Sequence, residues 1–255
     1  MIDIGWLNTY DSIEYQQLSN SISIPSFVVF EPEKYIRRPE NTGNRTIFTN
    51  CPAYQQFNKN VYVIRSPIDI KIKLVKTSNG GYEYACHPID DKVSPQVLQS
   101  IIQFDPDPNS RVDFAYPVIQ LKLPYVFFAD VPATIQQIPA IYNPINLPGN
   151  VISGEFDIHA WQRSIGWSFE WQDTTKPLII NRGDPLCYVK FIIHNDPAEK
   201  IQLVRLRATP ELIRPVVRAQ GSANLGVKTF DLFNIARKWR KSKYITKDNI
   251  WKPGD

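Results

Sequence analysis

Ile68, Ile70, Ile72 and Leu74 alternate with Asp69, Lys71 and Lys73. A period of two places the four apolar side chains on one face and predicts a half-buried strand. Ser78-Asn79-Gly80-Gly81 follows, and Tyr82-Glu83-Tyr84-Ala85-Cys86 returns. Asn-Gly between two such runs is a strong β-hairpin signal. A second alternation sets Ile165, Trp167, Phe169 and Trp171 against Gly166, Ser168 and Glu170, which predicts a strand with an aromatic face. Asn58 to Arg65, with Val61-Tyr62-Val63-Ile64, reads as another strand that Pro67 stops. Val118 to Phe128 predicts a long strand with Pro124 at a bulge or a sheet edge. Val151 to Ala160, Leu178 to Ile193 and Ile201 to Arg207 complete the strand pattern, with Arg182-Gly183-Asp184-Pro185 as a turn inside the second. Residues 1–50 read as irregular and Pro-rich, with one short strand at Ile24 to Phe30. Residues 129–150 hold Pro132, Pro139, Pro144 and Pro148, and read as an extended crossing loop or an edge.

Helical spacing occurs in three places. Ser94 to Phe104 has Pro95 at the first helical position and Val97, Leu98, Ile101 and Ile102 on one face. Thr209 to Arg218 begins with Pro210 in the same way. Lys228 to Lys243 places Phe230, Phe233, Ala236 and Trp239 on one face and cations elsewhere. Strands do not alternate with helices, which excludes a doubly wound parallel sheet. The expected fold is mainly β: an antiparallel β-sandwich or jelly-roll-like (double-stranded β-helix) core with C-terminal helices. It is read as one domain, 1–255, with a β core over 1–208 and a helical, basic appendage over 209–255.

Length and composition narrow this further. A chain of 255 residues can bury a core without disulfide or metal staples. Its 21 prolines exclude a long-helix bundle. No run of 18 apolar residues occurs, so no membrane span is expected. Cys51, Cys86 and Cys187 are odd in number and lack CxxC spacing, which argues against a disulfide framework and a zinc ribbon. The start, Met1-Ile2-Asp3-Ile4, shows no signal-peptide pattern. The expected location is the cytoplasm of a bacterium or infected host, or a virion, and not a secretory route. The charge is uneven: residues 201–255 hold twelve Lys and Arg against four acids, while the whole chain carries +4.

The pattern suggests several chemistries. Arg163, Glu170, Arg182 and Asp184 are charges in otherwise apolar strands, and such charges must be paired or face a rim. With Trp161 and Trp167 they form a candidate ligand-binding cluster, against the plainer reading of mutual ion pairs and a Trp-rich core. Asp157 and His159 lie two apart on one expected strand, and with His87 they form a candidate metal set. Cys51 with His87 or His159 is a candidate nucleophile pair. No Gly-x-Ser-x-Gly elbow, phosphate-binding loop or dinucleotide fingerprint is present, so no catalytic residue and no cofactor is implied by motif. Arg237, Lys238, Arg240, Lys241 and Lys243 beside Trp239 and Tyr244 mix cations with aromatics, which suits phosphates and bases.

Short segments add a family likeness. They are Cys51-Pro52-Ala53, Ser66-Pro67-Ile68-Asp69, Phe127 to Pro132, Gly154 to Ile158 with Trp161 and Arg163, Trp167 to Glu170, and Arg182 to Leu186 with Tyr188-Val189. Over residues 50–192 the chain resembles a family of uncharacterised proteins from tailed, often marine, phages and some bacteria. The resemblance implies a compact soluble protein of phage type and carries over no activity. The leading expectation is therefore a non-catalytic binding or virion or accessory structural protein with a protein or small-molecule partner, and oligomerisation open. A metal-dependent enzyme on a β-helix barrel and a nucleic-acid binder acting through the basic tail are the alternatives.

Overall fold

A computed structural model describes residues 1–19, 29–35, 50–78, 80–86, 95–105, 116–196, 199–223, 231, 234, 236–238 and 243–252. In chain order the first elements are β1 (Ile2–Asn8), α1 (Ile13–Ser19), β2 (Glu33–Lys34), α2 (Pro52–Asn58) and β3 (Val61–Arg65). Then come β4 (Ile70–Lys76), β5 (Tyr82–Cys86), α3 (Pro95–Ile101), β6 (Ile102–Asp105), β7 (Val118–Ala129) and β8 (Ala133–Pro139). The chain continues with β9 (Gly149–Ile152), β10 (Gly154–Asp157), β11 (Ser164–Trp171), β12 (Leu178–Ile180), β13 (Pro185–Ile193), β14 (Ile201–Arg205) and α4 (Pro210–Ala223).

The strands form three sheets, mostly antiparallel, and none closes into a barrel. Sheet A runs β14-β1-β7-β11-β9, with β6 also paired to β7; sheet B runs β10-β8-β13-β3-β2; sheet C runs β12-β4-β5. Among the described residues only the β1–β14 ladder is parallel. The fold is β-sandwich-like, as the strand pattern predicts. Its inner core lies between the sheets. Trp6, Tyr125, Phe127, Trp167, Phe169 and Trp171 come from sheet A, Ile64, Ile135, Val189 and Phe191 from sheet B, and Ile70, Ile72 and Leu178 from sheet C. The hairpin of β4 and β5 forms as expected, with Gly80 at φ +87, a left-handed value that glycine adopts without strain.

β7 explains its own proline. Its partner β11 shifts register between Ser164, opposite Val126, and Gly166, opposite Lys122. On the other side β6 covers Val118–Leu121 and β1 covers Tyr125–Ala129. Pro124 falls in both gaps, where the ladder requires no N–H.

The structure corrects several expectations. The N-terminal stretch is not irregular throughout, since β1 is an interior strand of sheet A. Ile4 and Trp6 enter the inner core, while Gly5 and Leu7 face away from it. The helix expected over 94–104 stops at Ile101, and Ile102–Asp105 extends along the free edge of β7. Part of the 129–150 stretch is β8, an interior strand; Pro132 precedes it and Pro139 ends it, so neither interrupts its ladder. The expected strand 151–160 is two strands. β9 belongs to sheet A and β10 to sheet B, so the chain changes layer at Ser153. Asn58 ends α2 rather than starting β3. α4 runs on past Arg218 to Ala223. Most of the strand expected at 24–30 lies outside the described residues. Within 228–243, residues 231, 234 and 236–238 are helical and the others, except Lys243, lie outside the description.

Candidate functional site

The six residues of the expected ligand-binding cluster lie at separate places. Trp167 is fully buried in the inner core; its Nε1 donates to the Leu186 carbonyl at 2.8 Å, and its ring stacks on Phe169 at 5.5 Å. That bond ties sheet A to sheet B. Glu170 stands on the opposite face of β11 and accepts from Gln172 Nε2 at 3.1 Å. Arg163, just before β11, packs its guanidinium 4.8 Å from the centre of the buried Trp161 ring. Burial lowers the pKa of Arg163. Seven residues separate Arg163 from Glu170, roughly 23 Å of extended strand. Arg182 and Asp184 belong to the β12–β13 turn. Asp184 Oδ2 accepts from the backbone N–H of Asn181 at 2.7 Å and from its side chain at 3.2 Å. The Arg182 backbone N–H donates to Asp69 at 2.7 Å, and its guanidinium lies over Phe30. Among the described residues no ion pair joins Arg163, Glu170, Arg182 and Asp184, so the mutual pairing expected from sequence is also absent there. Each charge is satisfied locally instead.

Asp157 and His159 are close, but not as alternate positions of one strand. Asp157 is the last residue of β10, and His159 follows in a turn. The strand alternation that would aim both side chains together therefore does not apply. Asp157 Oδ1 accepts the backbone N–H groups of His159 at 2.8 Å and Ala160 at 3.1 Å. Its Oδ2 lies 3.8 Å from the Arg237 guanidinium. His159 Nδ1 lies 3.2 Å from the Ala129 carbonyl. His87 is outside the described residues. Among the described residues no three His, Cys, Asp or Glu side chains converge on one point. Cys51 is exposed before α2 and Cys187 is buried, where burial raises its thiol pKa.

The basic C-terminal residues divide similarly. Arg237, Lys238 and Lys243 are exposed, whereas Arg240, Lys241 and Trp239 lie outside the described residues. Tyr244 is no base-stacking group. It is buried against Phe128, 5.3 Å between ring centres, with its hydroxyl on Gln162 Oε1 at 3.2 Å. The backbone N–H groups of Tyr244 and Ile245 donate to the Asp130 carboxylate at 2.6 and 3.2 Å. The sequence reading missed Asp130. The only signal was an acid directly after a long apolar strand.

Two further features escaped the sequence reading because their parts are far apart in the chain. An open groove of about 480 Å³ lies where β8 leaves sheet B and β9 enters sheet A, with Pro185 and Leu186 in its wall. Its other walls come from residues 139–151, and among the described residues that line it the polar side chains are those of Asn146 and Asn150. This described lining offers apolar surface and carboxamides. On the outer face of sheet B, Tyr35 and Tyr142 stack at 5.0 Å, and Tyr188 packs within 5.1 Å of Tyr35. Asn58 of α2 donates to the Tyr142 hydroxyl at 3.1 Å.

No helix among the described residues is long and apolar enough to cross a membrane. No protein-family model matches the chain, and no curated protein is detectably similar to it.

Proposed function

We propose that this protein is a non-catalytic binding or assembly component, a virion or accessory structural protein of phage type. One observation carries the reading: among the described residues, the candidate groups are employed in holding the fold. Asp157 caps the turn after β10, Asp184 closes the turn before β13, Asp130 holds the backbone of residues 244–245, and Trp167 bridges the sheets. The resemblance over residues 50–192 supports the phage assignment.

The test combines native mass spectrometry of the purified chain with partner capture from the infected or producing cell, alongside metal analysis. A defined self-assembly or a stoichiometric partner is the expected result. A chain that stays monomeric and unpartnered would overturn the reading, as would near-stoichiometric iron, zinc or manganese supporting turnover.

A further inference from the structure

α4 and residues 243–252 pack side by side across the outer face of sheet A. Leu212, Ile213, Val216, Tyr244 and Ile245 share one apolar cluster with Leu7, Val126 and Phe128. This placement brings the cations of α4 and of residues 243–252 onto the same layer. Arg214, Lys243 and Lys247 are exposed on the described part of this layer, and Arg237 and Lys238 are exposed on the stretch that leads into it, with Arg237 beside Asp157. Their ion pairs are slight. Arg214 sits 3.8 Å from Glu14 and Arg237 3.8 Å from Asp157, both across exposed guanidinium groups. One carboxylate holds the basic segment in place: Asp130 accepts the backbone N–H groups of Tyr244 and Ile245. With twelve cations against four acids in 201–255, and the rest of the chain net negative, the positive charge is concentrated in the part of the sequence that forms this layer.

We infer that this layer is a docking surface for duplex nucleic acid, gripped through its phosphates without base readout. The inference rests on the binding reading above and names its partner. Charge complementarity favours a polyanion. The apolar side of α4 is already buried against sheet A, and residues 201–252 present no exposed large hydrophobic side chain among those described. An anionic membrane would lack the apolar insertion that interfacial helices use. Tyr244 is buried, and Trp251 packs over the Arg205 guanidinium at 4.4 Å. Among the described residues of this layer, one aromatic ring is buried and the other carries a guanidinium, which favours a duplex over a single strand.

The experiment is fluorescence polarisation of a labelled 24-base-pair DNA with the full chain, as a function of salt. About five phosphate contacts predict a slope near −4.5 in log K against log salt, and roughly 500-fold weaker binding at 200 mM than at 50 mM. Unrelated duplex sequences should compete equally, and single strands should bind no more tightly. Arg214→Glu, Lys238→Glu, Lys243→Glu and Lys247→Glu together should remove most of the affinity with the thermal midpoint retained; if that chain misfolds, the four Gln replacements are used. No saturable binding at 50 mM, a slope shallower than about −1.5, or unchanged affinity in the variant would overturn the inference. So would tighter binding to polyglutamate or to phosphatidylserine vesicles than to the duplex. Partner capture repeated with the charge-swapped chain separates the two readings. A retained partner together with absent duplex binding sinks this inference alone.

Discussion

At its β1–β7 end, sheet A buries both faces, and the two sides are held by different means. Toward sheet B, large side chains from alternating strand positions interlock: Trp6, Phe127, Trp167 and Phe169 against Ile64, Val189 and Phe191. Toward the C-terminal layer the apolar cluster is smaller, with Leu7, Val126 and Phe128 under Leu212, Ile213 and Tyr244. There the docking is completed by polar anchors, since residues 243–249 have no strand ladder of their own. Asp130 accepts the N–H groups of Tyr244 and Ile245, Gln162 accepts the Tyr244 hydroxyl, and Asn249 donates to the Tyr244 carbonyl at 2.9 Å. A segment without regular structure still has obligatory donors to satisfy, and side chains of the sandwich supply the acceptors.

Trp167→Ala is the strongest way to break the inner side. It removes a fully buried indole and its bond to Leu186, and should cost about 3–5 kcal/mol. Denaturant unfolding should show one transition moved as a whole. Asp130→Ala attacks the outer side. Two bonds to a charged acceptor disappear, a loss of about 3 kcal/mol. Hydrogen exchange should accelerate at amides 244–250 and stay unchanged in β11 and β13; uniform acceleration would show that the two sides are not separable. Gly5→Ala probes the same seam more gently. A Cβ there would sit 2.5 Å from Leu206 Cδ1 and 3.3 Å from Ile245 Cγ1. Overpacking of this kind costs about 1–2 kcal/mol, and adding Leu206→Ala should recover part of the lost melting temperature.

The smallest effect concerns a charge at the sandwich surface. Lys176 and then Thr175 hold the exposed Asp173 carboxyl down to about 2. An unfolded aspartate titrates near 4. The depressed value means that the contribution is present above about pH 4 and is lost as pH falls through about 2. Carboxyl NMR should find that low midpoint, and Lys176→Gln should raise it. The melting temperature should barely respond, because the group is exposed and screened.

The candidate site was less legible than the fold. Trp167 and Phe169 could be assigned to one face from spacing alone, and that face is the inner core. Arg163, Glu170, Arg182 and Asp184 looked like a set because each interrupts an apolar run, yet each found a partner within its own neighbourhood. Asp157 and His159 would point the same way only if residues 151–160 formed one strand. The change of layer at Ser153 and the turn after Asp157 removed that geometry. β1 and β8 were harder to see, since Gly5 dilutes one alternation and flanking prolines suggest a loop around the other.

What the sequence determined by itself is local. Period-two runs produced strands, Gly80 turned the hairpin, Pro95 and Pro210 opened helices, and Pro124 marked a break in pairing. These outcomes follow from backbone sterics and side-chain alternation, which act within a few residues. The tertiary structure alone decided which strands share a sheet, where the chain crosses between layers, and that α4 and residues 244–245 pack over sheet A. Those outcomes depend on burying apolar faces and satisfying backbone donors across separations of a hundred residues or more, as Asp130 does for Tyr244 and Ile245.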